Sequence, residues 1–200
     1  MPNSSTLPDP GILEFPRRRK LAENGVLAMA LVVFVEVMLF TGFISAYIIV
    51  ENTTIPGLWP PPNQPRLPVE RTAINTAALL ASGVVLWLAH RAFRQGSSVR
   101  AARRMGIALL LGAFFVVFQG IEWLALIRQG LTMTSSQLGA FFYLIVGAHG
   151  VHAVAALVAM AVCWRLMRVG RLTASAFGAI QLFWYFVVLM WPVIYWKVYL

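Results

Sequence analysis

Apolar residues run nearly unbroken for about twenty positions or more at five places in this sequence, and each run ends in arginine, proline or polar residues. A helix rises about 1.5 Å per residue, so about twenty apolar residues cross the roughly 30 Å hydrocarbon core of a bilayer. The runs predict membrane-crossing helices at roughly 23–50, 72–94, 103–127, 138–166 and 175–199. The first is too long for a signal-peptide core and has no small-residue cleavage site, so a retained helix is expected. The segment before it bears several prolines and closes on Arg17, Arg18, Arg19 and Lys20. It predicts an irregular cytoplasmic tail, 1–22, lying on lipid headgroups. Loop 51–71 holds Trp59-Pro60-Pro61-Pro62 and Pro65, too much proline for a helix and too polar a stretch for lipid. No internal repeat is evident, which weighs against a transporter built from inverted halves. The expected fold is all-α, an integral membrane bundle of five transmembrane helices.

Composition agrees with that class: 60% of residues are hydrophobic and 12% charged, too apolar for a soluble domain of 200 residues. The formal charge of +9 raises the question of nucleic acid, but the cations cluster at helix ends, so no nucleic-acid partner is expected. Twelve of the sixteen basic residues fall on one side: positions 17–20, then Arg91, Arg94, Arg100, Arg103 and Arg104, then Arg165, Arg168 and Arg171. Arg66, Arg71, Arg128 and Lys197 fall on the other. That asymmetry predicts a cytoplasmic N-terminus and a C-terminus on the outer side. The single cysteine, Cys163, lies within an apolar run and excludes an intrachain disulfide or a thiolate metal cluster. Trp59, Trp191, Tyr195, Trp196 and Tyr199 read as an interfacial aromatic belt, with Lys197 reaching the same headgroups. Pro192 is expected to kink the last helix. Gly139, Ala140, Gly147, Ala148, Gly150, Ala153 and Ala156 make the fourth helix thin, which predicts a central place for it in the bundle.

The chemistry concentrates in a few groups deep inside the runs. Glu36 stands near the midplane in Val33-Phe34-Val35-Glu36-Val37-Met38, where an ionised acid costs about 2.5–3.5 kcal/mol on insertion scales. Glu122 lies in the outer half of the third run, with Gln119 one turn away on the same face. His149 and His152, three residues apart, share a face of the fourth helix. Glu36 and Glu122 are therefore expected to meet the two histidines, directly or through water, inside the bundle. Two imidazoles on one face cannot ligate opposite sides of one haem iron, and His90 sits at a helix end. The paired Glu-x-x-His motifs of a di-iron bundle are missing from the sequence. A mononuclear metal site from these four residues is conceivable, but hydrogen-bonded helix locks, or a proton-linked or lipid-contact role, fit better. With no nucleophile constellation, catalysis by this chain alone is not expected.

The same segments resemble the third subunit of haem–copper cytochrome oxidases. Glu36-Val37-Met38-Leu39-Phe40-Thr41-Gly42-Phe43-Ile44-Ser45-Ala46-Tyr47 is similar to the family's helix with a membrane-embedded glutamate and a terminal Ala-Tyr. Trp59-Pro60-Pro61-Pro62, Leu67-Pro68 and Asn75-Thr76-Ala77-Ala78-Leu79-Leu80 resemble its outer loop and following helix. Gln119-Gly120-Ile121-Glu122-Trp123 and Gly147-Ala148-His149-Gly150-Val151-His152-Ala153 resemble two further elements. The ending Trp184-Tyr185-Phe186-Val187-Val188-Leu189-Met190-Trp191 resembles Trp-His-Phe-Val-Asp-x-x-Trp, except that Tyr185 stands for the usual His and Val188 for the usual Asp. Five helices stand where longer members have seven, and in some oxidases two extra helices of the first subunit are thought to fill that place.

The resemblance implies an accessory subunit, without redox metals of its own, beside subunits I and II of a terminal oxidase in a bacterial inner membrane. Haem and copper are then expected in the partner subunits, and phospholipid on this chain. Glu36, Glu122, Gln119, His149 and His152 are the expected buried polar or proton-buffering groups, and Trp59 and Arg66 the expected lipid or outer-side contacts. A companion of nitric oxide reductase and a small proton-linked transporter are the alternatives.

Overall fold

The computed structural model describes residues 24–54, 59, 65, 67 and 69–199. The expected tail, and Arg66 with most of the proline-rich loop, lie outside the described residues. The fold is an all-helical bundle: α1 (Asn24–Thr53), α2 (Val69–Arg94), α3 (Ser98–Arg128), α4 (Gln137–Arg168) and α5 (Ala174–Ile194), with a π turn, Tyr195–Tyr199, continuing α5. All five are long and apolar enough to cross a membrane. Several extend past their apolar runs, α3 taking Arg100, Arg103 and Arg104 into its first turns.

Local sequence explains where the helices begin and end. The hydroxyls of Ser136 and Thr173 accept from the backbone N–H of Gly139 (3.0 Å) and Ala176 (3.2 Å), capping α4 and α5. Helices α2, α3 and α4 end on Arg94, Arg128 and Arg168, each followed two residues later by a glycine of positive φ: Gly96, Gly130 and Gly170. The left-handed glycine turns the chain so that the next N–H bonds back into the last turn, as Ser97 does to the Ala92 carbonyl (3.0 Å). The arginines lie at the negative end of each helix dipole.

Helices α2 and α3 pack as a tight antiparallel hairpin, while α5 contacts α1, α2 and α4. The central helix is therefore α5, not α4 as its small residues predicted: half of the most apolar window of α5 is buried, against a third for α4. The reason lies in which side chains fill the middle. Trp184, Trp191 and Phe177 of α5 are fully buried, and small residues elsewhere receive them. A Cβ on Gly112 of α3 would stand 2.6 Å from the Trp184 ring, and one on Gly83 of α2 would stand 3.1 Å from Val188. Small residues thus mark receiving surfaces. On α4 they receive Trp123 of α3, whose ring lies over Gly150.

The aromatic belt also needs correction. Trp191 is fully buried and donates its indole N–H to Thr76 Oγ1 (2.8 Å), and Tyr199 is buried as well. Tyr195, half-buried, donates its hydroxyl to the Val69 carbonyl (3.0 Å). Trp196 alone of the C-terminal four is largely exposed, with Lys197 Nζ 5.5 Å from its ring centroid. The π turn accounts for this, because widening the helix after Ile194 rotates Val198 and Tyr199 back into the core. Helix α5 runs through Pro192 to Ile194 before that change. Helix α1 is apolar on all sides, and only Phe40 and Tyr47 of it are buried. Cys163 is buried, as a small apolar side chain would be.

Candidate functional site

The polar groups inside the bundle form two clusters and one solitary ring. Midway along α1, Glu36 reaches α4, where its Oε2 lies 3.0 Å from His152 Nε2. The two atoms are at ion-pair distance without hydrogen-bond alignment, and Oε2 makes no aligned bond to any other group. The side chains are 23% and 18% exposed. His152 Nδ1 lies 2.7 Å from the Ala148 carbonyl, which fixes the ring against its own helix. Phe40, Phe183 and Phe186 surround the imidazole, with ring centroids 5.6, 6.3 and 5.8 Å away.

The second cluster joins α2 and α3. Thr72 donates to Glu122 Oε2 (3.0 Å), and Asn75 Nδ2 donates to the Phe115 carbonyl (3.2 Å) and to Gln119 Oε1 (3.4 Å). Gln119 Nε2 in turn donates to the Tyr199 hydroxyl (2.9 Å), bringing the C-terminal π turn into the network. Glu122, Gln119, Asn75 and Thr72 are all buried. Beside it, Arg71, Gln129 and Glu122 line a cavity of about 310 Å³ between α2 and α3.

His149 stands apart. It is 1% exposed, and neither ring nitrogen has a hydrogen-bond partner. Trp191, Phe115 and Phe40 surround it, with centroids 5.0, 6.2 and 6.3 Å away. A groove of about 350 Å³ between α3 and α4 runs past it, walled by Phe115, Trp123, Val146 and Val154.

The structure brings Glu36 directly to His152, while Glu122 and His149 make no direct contact of that kind. Residues three apart on a helix differ by about 60° in direction, given about 100° per residue. That angle turns His152 toward α1 and leaves His149 among the aromatic rings of α3 and α5. Glu122 faces α2 instead of α4. Sequence reasoning missed Thr72, the partner of Glu122, and Asn75, the partner of Gln119, although Thr72, Asn75, Thr76 and Ser82 recur at helical spacing. It also missed the indole ties, Trp184 to Ser82 Oγ (3.1 Å) and Trp164 to the Ala102 carbonyl (3.0 Å). Trp59 packs on Tyr47 of α1, with centroids 5.7 Å apart. Tyr185 accepts from Gln181 Nε2 (2.6 Å), and Val188 packs on Gly83. Among the described residues, no three His, Cys, Asp or Glu side chains gather as a metal site.

A protein-family model described as cytochrome c oxidase subunit III matches residues 19–200. The cytochrome c oxidase subunit 3 of Heterololigo bleekeri is 30% identical over 182 residues, covering 86% of this chain and 69% of the relative. That of Gadus morhua is 32% identical and that of Ovis aries 29%, each over 178 residues that cover 86% of this chain and 67% of the relative.

Proposed function

This chain belongs to the cytochrome c oxidase subunit III family, and from that premise we propose that it is the accessory subunit of a respiratory haem–copper terminal oxidase. The observation that carries this reading is the family match, which runs over all five helices. In this role the chain packs beside subunits I and II, stabilises the catalytic subunit, and helps sustain its proton uptake while oxygen is reduced to water. Haem and copper belong, in this reading, to the partner subunits. Helix α1 supplies an apolar surface for a neighbouring helix or lipid, with Leu31, Phe34, Val35 and Met38 all more than half exposed. The groove of about 350 Å³ between α3 and α4 is the proposed seat of a phospholipid acyl chain. Trp59 and Arg66 are proposed lipid or outer-side contacts. The arginine-rich helix ends face the cytoplasm of a bacterial inner membrane, so the N-terminus is inside and the C-terminus outside.

Purification in mild detergent through a tag on this chain tests the reading. Companion chains carrying both haem and copper are the expected result. A companion with haem and non-haem iron would assign the chain to a nitric oxide reductase. A chain that purifies alone and moves protons in liposomes would make it a transporter.

A further inference from the structure

We propose that the groove between α3 and α4 binds an uncharged ring compound bearing carbonyl oxygen, a quinone by chemical class, to which Trp123 and His149 donate. The inference goes beyond the phospholipid seat proposed above and concerns binding alone, with no electron transfer. It begins with polar atoms that the bundle itself does not satisfy. His149 is 1% exposed and lines the groove, yet neither of its ring nitrogens has a hydrogen-bond partner. The indole Nε1 of Trp123, which lines the same groove from α3, is buried and equally without one. Leaving a buried donor unpaired costs stability, and native proteins pair nearly all of theirs. Two such side chains on one groove point to an occupant that supplies the partner.

The lining selects the occupant's chemistry. No Lys, Arg, Asp or Glu lines the groove, so a charged head would stand unpaired inside the membrane. The amide of Gln119 is already engaged, by Asn75 at its oxygen and by Tyr199 at its nitrogen. An indole only donates, and an imidazole carries an N–H in either tautomer. The free groups are therefore richer in donors than acceptors, and a carbonyl oxygen, with two lone pairs and no hydrogen, matches them. Water answers poorly, because a buried water needs about two to four polar partners, and Val116, Val146, Val151 and Val154 make up much of the remaining wall. An acyl chain suits that wall but leaves both N–H groups bare, so the carbonyl compound displaces it.

Shape favours a ring. A Cβ on Gly150 would stand 3.2 Å from the Trp123 ring, whereas one on Gly120 would meet nothing within 4 Å. The indole is thus seated against α4, while the α3 wall stays open beside it. The groove holds about 350 Å³. Small-molecule sites span roughly 300–1,000 Å³, and a cavity of roughly 150 Å³ already admits benzene. Phe115 and Trp191 add aromatic walls, and Trp191 backs the imidazole at 5.0 Å with a tilt of 33°.

The test adds a decyl-substituted benzoquinone, ¹³C-labelled at its carbonyls, to the full chain in phospholipid nanodiscs. ¹⁵N resonances of the indoles and imidazoles report the site, and Trp123→Phe assigns the indole signal. The expected result is a saturable shift of the Trp123 and His149 signals, with magnetisation transfer from the labelled carbonyl to the Trp123 indole. Gly120→Leu keeps both donors and fills the open wall, so it should abolish the saturable shift while thermal unfolding stays near that of the parent chain. Trp123→Phe should weaken binding about tenfold, the effect of one buried hydrogen bond. Decylbenzene, which has the tail and ring without carbonyls, should leave both signals unmoved. Shifts that do not saturate, that survive Gly120→Leu, or that decylbenzene reproduces would overturn the proposal, the last by assigning the groove to acyl chains alone. Exchange of both N–H groups with water in the presence of the quinone would overturn it as well. Neither result bears on co-purification with a redox partner, so the two readings fail separately.

Discussion

Removing the Asn75 side chain breaks two helix-to-helix bonds, because its amide serves both the Phe115 carbonyl and Gln119. Interhelical hydrogen bonds in membranes average about 0.6 kcal/mol and reach about 1.7 kcal/mol. Asn75→Leu should therefore lower unfolding stability in mixed micelles by about 1–2 kcal/mol, with α2 and α3 separating first. Glu36→Gln should behave differently. The amide stays neutral and still reaches His152, so the yield of assembled complex on native gels should be nearly unchanged. A large loss of assembly would show that charge, and not polar contact, joins α1 to α4. Glu36, Glu122, Gln119, His149 and His152 were visible in the sequence because few other polar groups sit so deep in apolar runs. Their partners were not, since the rotation of α2 against α3 decides that Thr72 and Asn75 face inward. The same limit explains why Glu122 and His149 are not in direct contact: spacing assigns a face, but neighbouring helices decide what that face meets.

At the scale of the elements, the apolar runs were enough to foresee five helices, because crossing lipid requires every backbone group to bond within its own helix. The order of packing was not foreseeable in the same way. Small residues drew attention to α4, yet the centre belongs to α5 because Trp184 and Trp191 fill space that Gly112 and its neighbours leave open. Gly112→Ala tests this. Its new methyl would meet the Trp184 ring at 2.6 Å, well inside contact distance. Overpacking of this kind costs about 1–3 kcal/mol, and Trp184→Phe in the same chain should recover part of it in thermal unfolding. The C-terminal π turn offers a second test. Truncation after Ile194 removes Tyr199 from Gln119. The truncated chain should unfold at lower temperature, although it keeps five spans.

The bundle presents an α1 with only two buried residues, and arginines gather at the helix ends of α2, α3 and α4. Both features fit a chain that completes its packing against another subunit. If the arginine-rich end is cytoplasmic, a cysteine introduced at Arg171 should react with impermeant reagents only in inverted vesicles, and one at Lys197 only in intact cells. The proposed role itself concerns turnover. Oxygen consumption per haem should be followed over successive turnovers in the oxidase stripped of this chain and again after its return. The initial rates should match, with faster decay in the stripped enzyme and recovery of the sustained rate once the chain is restored. Identical decay with and without the chain would contradict a stabilising subunit.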